Sequence, residues 1–240
     1  MPATTGGGAA PLLELRGVRA AYEGVEVLHG VDLVLSPGTV HAVLGANGAG
    51  KSTMLKVIAG LHPASAGEVL ITGRRTNGVE ADALARRGLC LVPEGRGIFP
   101  NLTVRENLWL ITHSGKRMAH VEETAYARFP PLAKRRHQMA GTLSGGEQQM
   151  LAMCRGLATD PGLLLLDELS MGLAPLVVEK LYGMVAQIAA AGVSILVVEQ
   201  FAHIVLGVAD QATVMAHGEV VRHGTPDVLE STLTEAYLGG

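Results

Sequence analysis

Polar and apolar positions alternate in short runs near the start of the chain. Leu12–Arg16, Val25–Leu28 and Val31–Leu35 are β-prone, and the last places Val31, Leu33 and Leu35 on one side. A period of two marks a half-buried strand, so these runs predict a small antiparallel sheet. Val40–Leu44 is a compact apolar strand that runs straight into a glycine-rich turn. Glu68–Thr72 and Leu89–Val92 read as further strands. Leu163–Asp167 and Ser194–Val198 are apolar without alternation, the pattern of strands covered on both faces of a parallel sheet. Ala212–Ala216 and Glu219–Arg222 flank His217-Gly218 and predict a hairpin.

Between these runs the pattern is helical. Lys51–Ala59 predicts a helix closed by Gly60, and Glu80–Arg87 one closed by Gly88. Pro175 opens a helix that Gly192 ends. From about Thr103 to Gly156 the chain reads as helix, and the pairs Thr103/Glu106 and Ser144/Glu147 have capping-box spacing. The sum is an α/β domain over 11–240: a parallel-sheet core, an N-terminal antiparallel β lobe and a helical insert over about 98–156. Residues 1–10, small and weakly polar, are expected to be a disordered tail.

Composition narrows this picture. Hydrophobic residues are 48% of the 240 but aromatic residues only 3%. The core must therefore be built from Leu, Val, Ile and Ala. A net charge of -3 argues against a nucleic-acid binder held by bulk electrostatics. Cys90 and Cys154 lack CxxC spacing and read as buried, reduced packing residues. Met1–Ala10 lacks the basic start and apolar run of a signal peptide. The longest apolar runs, Gly162–Leu166 and Val193–Val198, fall far short of the roughly 20 residues that cross a bilayer. Any service to a membrane is expected to be peripheral. None of the nine histidines has metal-ligand spacing. Met150 and Met153 suit core or interface filling. Lys116-Arg117 and Lys134-Arg135-Arg136 read as a solvated face, the second within reach of a membrane subunit or acidic lipid.

The glycine-rich turn carries chemistry. Gly45-Ala46-Asn47-Gly48-Ala49-Gly50-Lys51-Ser52 satisfies G-x-x-x-x-G-K-[ST] without mismatch, with a strand before it and a helix after it. Glycines let the backbone wrap phosphates with its N–H groups pointing inward, and the helix start adds the positive end of its dipole. Lys51 is expected to reach the β and γ phosphates and Ser52 to ligate Mg²⁺. With Thr53 these residues are the candidate nucleotide contacts. The run Leu163–Asp167-Glu168 ends an apolar strand in two acids. Strands of parallel sheets deliver their C-terminal side chains to the ligand crevice. Asp167 is thus a candidate Mg²⁺ holder and Glu168 a candidate general base.

These two motifs define a P-loop NTPase core without choosing a branch. Leu143-Ser144-Gly145-Gly146-Glu147-Gln148-Gln149, just upstream of the acid pair, resembles the signature motif of ABC ATPases. Ser144 can cap a helix whose free N–H groups, beside two glycines, can approach a γ-phosphate. The resemblance covers 12–240. It implies a homo- or heterodimer with two ATP molecules between the subunits, each site joining Lys51 and Glu168 of one chain to Ser144, Gly145, Gly146 and Glu147 of the other. It also implies two transmembrane permease subunits, an indirect solute-binding protein, no nucleic acid, and a place on the cytoplasmic face of the membrane. Tyr22 falls where the family stacks an aromatic ring on adenine, and Ser170–Pro175 where the family crosses the dimer interface.

Two departures stand out. The family's Gln that touches Mg²⁺ or water is matched here by Glu94, and its γ-phosphate-sensing His by Gln200. Glutamine can donate a hydrogen bond but cannot become a cation. VPEGR, FPNLTVRENL, SMGLAP, LVVEQ and the closing Ala236-Tyr237-Leu238-Gly239-Gly240 resemble the second ATPase of branched-chain amino-acid importers. Urea and short-chain amide importers use very similar ATPases. A soluble, non-transport ABC ATPase acting on DNA or ribosomes would carry a coiled-coil insertion or a second cassette, and neither is present. A non-hydrolysing module would not need Asp167 and Glu168.

Overall fold

The computed structural model describes residues 10–95, 97–115 and 117–230. Residues 1–9 of the expected tail, Arg96 of VPEGR, Lys116 and the closing 236–240 segment lie outside the described residues. The chain opens with β1 (Leu13–Tyr22) and β2 (Val25–Leu35), then β3 (Val40–Leu44), α1 (Lys51–Ile58), β4 (Ala66–Ile71) and the short β5 (Arg74–Arg75). There follow α2 (Ala81–Arg86), β6 (Leu89–Val92), and a run of helices α3 (Val104–Trp109), α4 (Met118–Arg128), α5 (Pro130–Lys134) and α6 (Gly145–Leu157). The last part is β7 (Leu163–Asp167), α7 (Pro175–Ala190), β8 (Ser194–Glu199), α8 (Ala202–Leu206), β9 (Gln211–Ala216) and β10 (Glu219–Gly224).

The strands form two sheets. A four-stranded antiparallel sheet has the order β2-β1-β4-β5, and a six-stranded sheet the order β10-β9-β3-β8-β7-β6. Within the second, β9, β3, β8, β7 and β6 run parallel and only β10 is reversed. The expected α/β class with a parallel core, an antiparallel lobe and inserted helices is thus the observed one. Three predicted boundaries differ. The separate runs Val25–Leu28 and Val31–Leu35 are one strand, and the first run continues to Tyr22. Register shifts between Leu15 and Val18, Val18 and Arg19, and Ala20 and Ala21 let the ladder continue while the alternation slips. The helical stretch is several pieces, because Pro130-Pro131 starts a new helix and 3₁₀ turns cover Leu110–Ser114 and Ala140–Thr142.

Alternate residues of the parallel strands feed two cores. Val40, Ala42, Leu44, Leu164, Leu166, Ile195 and Val197 face α6, α7 and the inserted helices. Val43, Leu163, Leu165, Leu196 and Val198 face α1 and the antiparallel lobe. Burial on both faces explains the lack of alternation in β7 and β8. It also fixes the register, since a slip of one residue would exchange the two cores. In that register Leu44 pairs with Glu199, and Asp167 with Val198. The ends of β3, β8 and β7 therefore lie side by side, and the loops leaving them form one crevice.

Candidate functional site

The loop between β3 and α1 opens this crevice. Gly50 caps α1 in the left-handed region at φ 99°. A side chain there would also meet Leu28 Cδ2 at 2.9 Å and the Val27 carbonyl at 3.2 Å, so glycine is required twice over. Ala49 N–H donates to the Ala46 carbonyl, closing the turn. Asn47 and Gly48 are exposed at its tip, while Lys51 on the first turn of α1 is buried. Its ammonium donates to the carbonyls of Gly45 (2.8 Å) and Ala46 (3.1 Å) and lies 3.3 Å from Glu168 Oε1. A buried cation needs such partners. Ser52 Oγ donates to Asp167 Oδ1 at 2.9 Å, joining α1 to the end of β7.

Asp167 is 5% exposed. Burial pushes its carboxyl above the usual carboxylate range; the Ser52 hydroxyl and Lys51 oppose this, and the charges of Glu168 and Glu94 add to it. Glu168 follows at φ 48°, a left-handed conformation that a residue with a side chain adopts at a cost of about 1–2 kcal/mol. A cleft of about 230 Å³ is lined by Asn47, Gly48, Gly50, Lys51, Ser52, Thr53, Glu94, Glu168 and the neighbouring Val27 and Met171. Glu94 therefore does reach the cleft, from the segment after β6. The oxygens of Ser52, Asp167 and Glu94 are hard donors of the kind that suit Mg²⁺. Among the described residues no cluster of three or more His, Cys, Asp or Glu could hold a metal by itself. Such an ion would share one or two side chains with nucleotide phosphates, the usual arrangement for Mg²⁺.

Other predicted residues lie apart. Gln200 is exposed beyond the end of β8 and does not line the cleft. Tyr22, 39% exposed, stacks one ring face on His62 with centroids 4.1 Å apart, and His62 Nε2 lies 3.1 Å from the Ala21 carbonyl. Ser144 and Glu147 form a complete capping box on α6. No residue from 144 to 147 lines the cleft. The glycine at 146 has a packing reason that the sequence did not reveal. A methyl group there would sit 2.4 Å from Val177 Cγ1 on α7. The basic run 134–136 is exposed, as a solvated face would be, and Arg135 in it pairs with Glu147 at 2.5 Å.

Several contacts were missed by reading the sequence. Arg155 on α6 donates to the Gly97 carbonyl and lies 4.9 Å over the Phe99 ring, tying α6 to the segment after β6. Glu199 is buried at the end of β8 and gathers three donors. The signal is the one that marks Asp167, an acid closing an apolar parallel strand. Both cysteines are free; burial raises Cys90 to about 11 and Cys154 to about 12, so neither thiol is a ready nucleophile.

A phosphate loop after the central strand, with an acid pair ending the next strand but one, makes this a P-loop nucleotide-binding protein. Comparison with known proteins selects the branch. Residues 28–170, more than half of the chain, match the ABC transporter family. The chain is 38% identical to the high-affinity branched-chain amino acid transport ATP-binding protein BraG of Pseudomonas aeruginosa, over 95% of this chain and 100% of that protein. It is 33% identical to the probable branched-chain amino acid transport ATP-binding protein LivF of Archaeoglobus fulgidus, over 88% of this chain and 91% of that protein. The fold matches the ADP conformation of an ATP-binding cassette of an ABC transporter with a TM-score of 0.84 at 25% identity, covering 97% of this chain and 100% of that one. The chain belongs to the ABC transporter family, as one of its ATP-binding ATPases. No helix among the described residues is long and apolar enough to cross a membrane.

Proposed function

We propose that this chain is the ATP-hydrolysing subunit of an importer for branched-chain amino acids. It works as half of a cassette dimer on the cytoplasmic face of the membrane, beneath two permease subunits served by a solute-binding protein. One observation carries the reading. Lys51, Ser52 and Glu168 line a single cleft, with Asp167 hydrogen-bonded to Ser52 behind them, while the capped segment 144–147 stays outside it. A second cassette would supply that segment. The names of BraG and LivF support the cargo.

In this reading the amides of 45–52 hold the nucleotide and Lys51 neutralises its β and γ phosphates. Tyr22, partly exposed, offers its ring to adenine. Ser52 and Asp167, with Glu94 nearby, would hold Mg²⁺, which supplies charge neutralisation at the phosphates. Glu168 accepts the proton of the attacking water, an assistance typically worth about 10²–10⁴-fold. Gln200 can donate to the γ-phosphate. ATP closes the dimer and hydrolysis reopens it, and motion passes to the permease through the inserted helices and the segment from Glu94 to Phe99.

Glu168→Gln is expected to bind ATP, dimerise stably and hydrolyse it poorly, whereas Lys51→Ala loses binding and turnover together. Normal hydrolysis by Glu168→Gln removes the base assignment. Cargo is tested in the isolated membrane complex. Turnover stimulated by binding protein loaded with leucine, isoleucine or valine supports the assignment, and stimulation by urea or a short amide instead replaces it.

A further inference from the structure

β8 ends in Glu199, whose residue exposure is 1%. Its carboxylate accepts from the Ser170 N–H at 2.9 Å, the Ser170 hydroxyl at 2.6 Å and the Tyr182 hydroxyl at 2.5 Å. Tyr182 lies on α7 and is itself 1% exposed. Burial, then the neighbouring Glu199, pushes its phenol well above the usual range, so it remains a donor. The main chain at the same point adds two more ties. The Glu199 carbonyl accepts the Gly45 N–H at 3.3 Å, and the Val198 carbonyl accepts the Glu168 N–H at 3.0 Å.

Glu168 thus sits between a backbone bond to Val198 and, two residues on, a double side-chain clamp on Ser170. Its left-handed backbone needs that support. A residue in a sparsely populated region persists only where its surroundings over-determine it. Met171, which follows the clamped Ser170, donates back to the Glu168 carbonyl at 3.3 Å and lines the nucleotide cleft. No contact of the Glu199 side chain reaches Lys51, Ser52 or Asp167 directly.

We infer that Glu199 is a positioning residue for ATP hydrolysis: by clamping Ser170 and Tyr182 it holds the turn that fixes Glu168 against the cleft. This rests on Glu168 being the base. The clamp acts on the turn and leaves the phosphate loop alone, because Gly45 is tied to the Glu199 main chain, which a side-chain substitution keeps. Its removal should therefore lower turnover and spare nucleotide affinity.

The test uses Glu199→Gln, which keeps the shape but puts an amide donor among three donors. Losing one bond to a charged acceptor corresponds to a change of about tenfold or more. We expect kcat to fall by about that factor while Mg-ATP affinity, measured by calorimetry, stays within about twofold. Tyr182→Phe and Ser170→Ala each remove one bond and should show the same split in smaller measure. They carry the test alone if Glu199→Gln does not fold. The decisive comparison is made in the Glu168→Gln background, on its residual turnover. A residue that works through Glu168 has little left to lose there, since groups acting as a unit are non-additive. Wild-type turnover in the substituted proteins overturns the inference, and so does an equal fractional loss in both backgrounds. Failure of the wild-type protein to take up Mg-ATP is a separate result that removes the reading of the site itself.

Discussion

The contact between Gly146 and Val177 allows a double-mutant test of why a glycine stands in the signature segment. In Gly146→Ala the new methyl would lie 2.4 Å from Val177 Cγ1. Comfortable carbon–carbon contacts are about 3.5–4.0 Å, so the overlap exceeds roughly 1 Å. Val177 cannot easily swing away, because a β-branched side chain in a helix keeps one strongly preferred rotamer. The strain must pass into the spacing of α6 and α7. Overpacking of this kind costs about 1–3 kcal/mol, and the helix preference of alanine over glycine returns at most about 1 kcal/mol. A net loss near 1 kcal/mol should lower Tm by about 2–4 °C in a domain of this size. Adding Val177→Ala removes the clash, so the double variant should be more stable than the sum of the singles by about 1–2 kcal/mol. Thermal and denaturant unfolding of the four proteins measure this coupling. ATPase rates on the same samples divide the roles. If the double variant regains both stability and turnover, the glycine serves helix packing. If stability returns and turnover does not, Gly146 is needed at the nucleotide of the paired cassette. A Gly146→Ala protein as stable as wild type, with no coupling to Val177, refutes the packing argument.

Three further outcomes follow from the site and the core. His41, 1% exposed and 2.8 Å from Thr213 Oγ1, is depressed to about 4 by burial and then by His223; the unfolded chain binds a proton near the ordinary 6.5 that the native state refuses, so stability is full above that value and falls with pH down to about 4, by up to roughly 3 kcal/mol. Denaturant titrations at pH 7 and pH 5 should show the drop, and His41→Gln should lack most of it. Ser52→Ala removes the hydroxyl on Asp167 and should raise the Mg²⁺ concentration for half-maximal turnover by about tenfold or more; an unchanged requirement excludes Ser52 as a ligand. Tyr22→Ala should weaken ATP binding by the worth of a base stack, about 1–3 kcal/mol by analogy with nucleic acids, and equal affinity in the two proteins removes Tyr22 from the adenine site.

Local signals in the sequence were sufficient where one short segment carried both the conformation and the chemistry. The loop 45–52 names its own glycines and cation, and Ser144/Glu147 and Thr103/Glu106, each pair three positions apart, close capping boxes. The acid pair after Leu163–Leu166 followed from the same economy, since an unbroken apolar strand ending in charge points to a crevice. Reading failed where the reason for a residue lies far along the chain. β1 and β2 cross their irregular points because a cross-strand ladder supports them, and no alternation in one strand can show that. Gly146 answers to Val177, and Arg135 to Glu147. The end of β8 shows this limit most sharply. The family motif points to Gln200, exposed just beyond the strand, and gives no notice of Glu199, which is buried among three donors. A polar residue buried at the end of a parallel strand must find partners on the neighbouring loops, because leaving a charge unpaired there is prohibitive. Such residues are therefore where loops that act together are joined, and the neighbours of Glu199 in space, Ser170 and Tyr182, are 29 and 17 positions away in sequence.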